Sequence, residues 1–197
     1  MTAIRPRHHV VAAGTRLWHV YFRGGTHPRP WDDFRAYGPI TTARFDHHQT
    51  PPHVQDRHIY YAGSSGPMCV LEVFQACRTI NRRRNEPWLI GFALRRAVTL
   101  LDLTGTWTTR AGASMAINTG NRSLARRWSQ VFYEAYPDID GLWYASSMYG
   151  NAPAVALYER AEDAVQGGGP FLHLPLSSPG LAVPLYRLAV DMNYFLL

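Results

Sequence analysis

The alternation of apolar and polar positions changes character several times along the chain, and each change predicts an element. Over residues 16–23, Leu17, His19, Tyr21 and Arg23 alternate with Trp18, Val20 and Phe22, which predicts the first convincing strand. Gly24-Gly25, Pro28 and Pro30 end it. A turn-rich stretch with Trp31, Phe34 and Tyr37 leads to Thr41-Thr42-Ala43-Arg44-Phe45, and the His- and Pro-rich residues 46–57 read as a surface loop. A short apolar strand over 58–62 stops at Gly63-Ser64-Ser65-Gly66. Helical texture begins at Pro67, with Ser65 as N-cap and Val70, Leu71, Val73 and Phe74 along one side. Residues 88–94 and 97–103 read as a strand pair, or as a strand ending in Leu101-Asp102-Leu103-Thr104. Leu124, Trp128, Val131, Phe132 and Ala135 recur at helical spacing, and 141–145 and 154–158 read as two further strands. Strands with only a few helices between them indicate an α+β domain with a mixed sheet rather than a doubly wound one.

Composition narrows this picture. A chain of 197 residues suits one well-filled domain and is short for two. All 20 basic residues are Arg, against 14 acidic ones, for a net charge of +6. The missing Lys is most simply codon bias. The charge fits an anionic small molecule and would equally fit nucleic acid or an acidic protein. Cys69 and Cys77 match neither a zinc set nor a disulfide framework and read as small buried residues in a reducing cytoplasm. Residues 1–11 carry Arg5, Arg7, His8 and His9 without an apolar run, so no signal peptide is expected. No apolar run reaches the length of a membrane span, so a soluble cytoplasmic protein is expected. Neither a Walker A pattern nor GxGxxG occurs.

Glu72 stands out chemically. It lies in Met68-Cys69-Val70-Leu71-Glu72-Val73-Phe74, and a carboxylate among such neighbours needs a partner or a job if it is buried. It reads either as a helix-surface residue or as a cleft carboxylate that stabilises an oxocarbenium-like charge. His47, His48, His53 and His58 lack the helical spacing of a metal set, so no metal is expected. Arg82-Arg83-Arg84 reads as a solvated helix end, and direct nucleic-acid binding is not expected from it. No Ser–His–Asp spacing supports a nucleophile.

The order of the remaining motifs carries a resemblance. Trp18-His19-Val20-Tyr21 is followed by Ala43-Arg44-Phe45-Asp46, Ile59-Tyr60-Tyr61-Ala62-Gly63 and the Glu72 helix. Trp128-Ser129-Gln130 and Asp140-Gly141-Leu142-Trp143-Tyr144-Ala145-Ser146-Ser147 come after it. Across residues 17–160 this order resembles the RES-domain family, named after its Arg, Glu and Ser. The resemblance implies an ADP-ribosyltransferase-like split β-sheet with flanking helices, and NAD as substrate without a metal. It implies a toxin of a bacterial toxin–antitoxin pair, neutralised by a helix-turn-helix antitoxin partner.

Residue by residue, the resemblance places the catalytic role on Glu72 and puts the pyrophosphate on Arg44. Tyr60 falls on the aromatic that would stack on the nicotinamide. His19 stands where the family has an Arg, similar to the His of another ADP-ribosyltransferase class, and Arg23 is placed to restore the missing charge. Ser129 and Ser146 are alternatives for the family Ser, with Ser129 favoured for a site role and either able to bond the carboxamide or a ribose. The implied activity is cleavage of the nicotinamide N-glycosidic bond by hydrolysis, phosphorolysis or ADP-ribosyl transfer. The alternative is a degenerate domain that binds a nucleotide or partner without turnover. Residues 1–15 read as an N-terminal extension and 16–165 as the NAD-binding domain. Residues 166–197 read as an apolar, Pro-containing tail that packs on the domain or lies in an interface, which invites a homo-oligomer.

Overall fold

Strand β2 (Arg16–Phe22) is bonded along its whole length to β6 (Pro87–Ala93), from Arg16 opposite Ala93 to Phe22 opposite Pro87. On its other side it meets β4 (His53–Gly63) at one bridge, Trp18 opposite Gly63. This asymmetry, seen in a computed structural model that describes residues 4–197, splits the main sheet. One half runs β1 (His8–Val11), β7 (Val98–Asp102), β8 (Gly141–Ala145), β9 (Pro153–Tyr158) and β4, with β3 (Arg35–Gly38) on the outer part of β4. The other half is β2, β6 and β10 (Leu172–Pro175). Within the sheet β7 and β8 are parallel and the other pairs antiparallel, so it is mixed.

Helix α1 (Gly66–Phe74) begins where β4 ends. Ser65 caps it by accepting from the Met68 N–H at 3.4 Å, and Pro67 lies in the first turn. It touches β2 and β6 on one half of the sheet and β4 on the other, so it straddles the split. Met68, Val70, Leu71 and Phe74 bury against the same face as Ala125 and Phe132 of α3 (Arg122–Ala135) and Leu185 and Leu188 of α5 (Ala182–Met192). Leu17, Phe34, Tyr60, Phe92, Leu100 and Val155 form a second core cluster, closed by Ala164 and Val165 of α4 (Glu162–Val165). The short α2 (Trp107–Arg110) buries Trp107 against Phe132. None of the helices among the described residues is long and apolar enough to cross a membrane.

Several expectations change. Residues 88–94 and 97–103 do contain strands, but β6 and β7 lie in different halves of the sheet and are not paired with each other. Residues near both ends join the structure: β1 pairs with β7, β10 borders β6, and β11 (Phe195–Leu196) runs parallel to β5 (Thr79–Ile80) just beyond α1. Cys69 is buried as expected, whereas Cys77 is exposed in the turn after α1.

The largest departure is at residues 46–57, of which only 49–52 form an exposed loop. Asp46, His47 and His48 are wholly buried, and β4 already starts at His53. Composition points to solvent, but Asp46 is fully paired, while both ring nitrogens of His47 and Nε2 of His48 are buried without a partner among the described residues. Asp46 accepts from Arg35 at 2.8 Å and from the Ile40 N–H at 2.7 Å, and it bonds the His48 ring. His47 stacks on Tyr133 with ring centroids 4.4 Å apart, and Glu159 accepts from Tyr133 at 2.7 Å and the His58 N–H at 3.2 Å. Burial alone would raise both carboxyl pKa values, yet these bonds outweigh it and hold Asp46 and Glu159 each at about 2. Burial pushes His47 the other way, down to about 4.

All three shifts are depressions relative to the unfolded chain, so each contributes stability at neutral pH that is lost on acidification. His47 acts between about pH 6.5 and 4, and the two carboxylates between about pH 4 and 2. Asp46→Asn is expected to lower unfolding free energy at pH 7 by roughly 2–4 kcal/mol and to flatten the pH dependence below about pH 4. Urea unfolding across that range measures both; an unchanged acid limb would contradict this account.

Candidate functional site

Where β2 and β4 are no longer bonded, side chains rather than hydrogen bonds fill the gap; two cavities open there, and a third adjoins the second. The first, about 900 Å³, is lined among others by His19, Tyr21, Tyr60, Arg29 and Arg35. The second, about 480 Å³, contains Glu72, Arg44, Gln75, Arg122 and Tyr144. Phe22, Arg35, Ile40 and Tyr61 line both, so the two are continuous. The third, about 770 Å³, is more open and basic, with Arg44, Arg122 and Arg126 beside Thr119 and Ser147.

Glu72 sits half-buried on α1, at the wall of the second cavity. Oε1 accepts a 2.5 Å hydrogen bond from Ser146 Oγ, and Ser146 in turn accepts from the Met148 N–H at 3.2 Å. Oε2 accepts from Gln75 Nε2 at 3.1 Å, one helical turn further on. The carboxylate is therefore fixed by neutral donors, with no guanidinium bonded to it directly. Arg44 is anchored by donating to the Gly120 carbonyl at 2.6 Å. Burial and the like charge of Arg122 lower its pKa while Glu72 opposes them.

His19 projects from β2 into the first cavity, its ring 4.5 Å from that of Tyr60 and nearly parallel to Tyr21. Desolvation drives its pKa down to about 4, against the opposing effect of the Tyr61 backbone, so the ring is neutral at physiological pH. It offers one donor and one acceptor but no charge. Arg35, paired with Asp46, lines the first two cavities. Arg23 lies outside them: that side chain is exposed, packs over the Trp88 ring at 4.8 Å and lines none of the three cavities.

The two tyrosines of β4 divide between faces, as strand geometry requires. Tyr60 belongs to the second core cluster, donates to the Trp31 carbonyl at 2.9 Å and stacks on Phe34. Its neighbour Tyr61 stands at the junction of the first two cavities, and its buried phenol oxygen has no partner among the described residues. Burial raises the Tyr61 pKa, so the phenol stays protonated. The serines divide as clearly. Ser146 bonds Glu72, whereas Ser129 is wholly buried, donates to the Phe45 carbonyl at 2.8 Å and lines none of the cavities.

The structure thus places Glu72 and Arg44 at one cavity, with the buried Ser146 bonded to Glu72, places His19 and Tyr60 in the wall of the next, and leaves Arg23 and Ser129 outside. Sequence reasoning missed Tyr61, Arg35, Gln75 and Arg122. The spacing of Gln75, three residues after Glu72 on a helix, was the one local signal available.

The fold is a mixed α+β sheet split along one edge of β2, with a helix across the split. Over 90% of this chain and 92% of the other, it is similar to the crystal structure of the M. tuberculosis MbcT–MbcA toxin–antitoxin complex, with a TM-score of 0.60 at 16% identity. No protein of curated function matches in sequence. The RES-domain profile matches residues 16–177, and the chain belongs to the RES-domain family.

The placement of Ser129 and Arg23 has a measurable consequence. Ser129→Ala strands the buried Phe45 carbonyl and is expected to cost about 1–3 kcal/mol of stability. Arg23→Ala loses one exposed contact with an aromatic ring, about 1 kcal/mol or less. Chemical denaturation of the two variants separates these roles, and equal losses would contradict them.

Proposed function

We propose that this protein is a toxin-like, NAD-consuming enzyme that cleaves the nicotinamide N-glycosidic bond. The observation that carries this reading is Glu72: a carboxylate with both oxygens held by neutral donors, facing the cavity that continues into the opened sheet. Family membership supports NAD as the substrate class.

In this reading NAD lies bent across the first two cavities, whose combined size suits a ligand larger than an ordinary drug-sized molecule. Neutral His19 bonds the adenosine ribose. Arg35 and Arg44 take the pyrophosphate through charge-assisted bonds. Tyr60 and Tyr61 offer aromatic faces, with Tyr61 the nearer to Glu72, since it shares that residue's cavity. As the bond between the ribosyl C1′ and nicotinamide lengthens, its electron pair passes to the departing ring and neutralises the pyridinium. The positive charge left on C1′ and the ring oxygen is stabilised by the Glu72 carboxylate. Water, phosphate or a target side chain then donates an electron pair to C1′, a protic nucleophile releasing its proton to solvent, and the open third cavity is the route by which it arrives. The acceptor decides whether the reaction is hydrolysis, phosphorolysis or transfer.

The similarity to a toxin–antitoxin complex supports an antitoxin as partner, and a helix-turn-helix protein covering the cavity mouth fits the expectation for the family. The closing experiment incubates the purified protein with NAD, with and without phosphate, and identifies the products. Nicotinamide release is expected, falling about 10²- to 10³-fold in Glu72→Gln with NAD affinity little changed. Equal NAD binding by both proteins with turnover by neither would instead establish the non-catalytic binding domain.

A further inference from the structure

Gln75 caps the C-terminal end of α1, where its side chain bridges two charges that do not touch. Its amide NH2 donates to Glu72 Oε2 at 3.1 Å and to the Glu72 carbonyl at 2.6 Å. Its amide oxygen accepts from Arg122 at 2.6 Å. Both residues line the Glu72 cavity and the outer basic cavity. The orientation of the amide is dictated rather than chosen: turned over, it would set a carbonyl against the carboxylate and an NH2 against the guanidinium, two repulsive contacts.

We propose that Gln75 and Arg122 are positioning residues that act through Glu72, holding its carboxylate on the reacting side of the cavity without neutralising it. The proposal rests on the NAD-cleaving reading above. A direct Arg–Glu ion pair would also fix Glu72, but it would cancel the negative charge that a cationic ribosyl centre needs. An interposed amide avoids this. Its dipole is polarised by the guanidinium, strengthening the bond to Glu72, while the formal positive charge stays one side chain away. Ser146 fixes the other oxygen, so the carboxylate plane is set from two sides. Arg122 begins α3 beside its cap, Asn121, so the relay is anchored in a different element from Glu72 and links α1 to α3.

Two measurements test this. The first needs no turnover. In a ¹H–¹⁵N spectrum the Gln75 side-chain NH2 pair, assigned by its absence in Gln75→Leu, is expected to move in both Glu72→Gln and Arg122→Leu. If it moves in neither, the relay is overturned. The second is kinetic. Gln75→Leu and Arg122→Leu are expected to lower kcat for nicotinamide release about 10- to 100-fold with KM changed far less, and Arg122→Lys to recover part of the loss. A parallel rise in KM with kcat intact would mean that these groups bind substrate instead, and would overturn the proposal. Wild-type protein that leaves NAD intact, yet shows the resonance moving in both variants, would sink the NAD reading and leave the relay standing.

Discussion

Two strands held together at one point govern this structure. β2 and β4 meet only at Trp18 and Gly63, and their remaining backbone groups on that side do not pair with each other. Gly63 is needed at the bridge because the chain turns at once into α1: a Cβ there would lie 1.7 Å from the Met68 methyl, deep in the core. The helix then crosses to the other half of the sheet. A closed sheet would leave no space for His19, Tyr61 or Glu72 to face one another. A sheet parted along its full length would lose the anchor that sets their separation.

The opening is kept in shape by a buried ion pair. Burying Arg35 and Asp46 costs desolvation, and the geometry offsets it only because nearly every lone pair is used. The same carboxylate fixes Arg35 and the backbone at Ile40, two residues that line both inner cavities. The stability of the segment and the form of the site therefore share one group. That is why Asp46, His47 and His48 are wholly buried although the His- and Pro-containing residues just after them are exposed.

What could be read in the sequence followed from periodicity. β2, β8, β9, α1 and α3 lie close to where the apolar spacing put them, and the Ser65 cap and Pro67 marked the start of the Glu72 helix. The family resemblance was legible in the order of the motifs and is borne out by the matched profile. Three things were hidden, each for a physical reason. Ile59-Tyr60-Tyr61-Ala62 is apolar on both faces, so period-two alternation could not say which tyrosine meets the cavity. Partnership of Asp46 with Arg35 joins separate turns and leaves no local pattern, so polar composition by itself points to solvent exposure. Whether 88–94 and 97–103 pair with one another or with remote strands depends on topology, to which strand propensity is blind. For the same reason Arg23, correct in periodicity with His19, was drawn away by Trp88.

The small parallel pair of β5 and β11 bears on how the molecule comes into being on the ribosome. The segment just after the Glu72 helix finds backbone partners at the far end of the described chain: the Phe195 and Leu197 N–H groups donate to the Arg78 and Ile80 carbonyls, and the Arg82 N–H to Leu197. β10 and α5, which border β6 and cover α1's core cluster, are made only slightly earlier. A nascent chain that has already synthesised Glu72 and both inner-cavity strands therefore still lacks the clasp behind the helix. Contacts of such long sequence separation form late and slowly. The cleft therefore takes its finished form only once residues 195–197 have been made and have paired with the segment that follows the Glu72 helix.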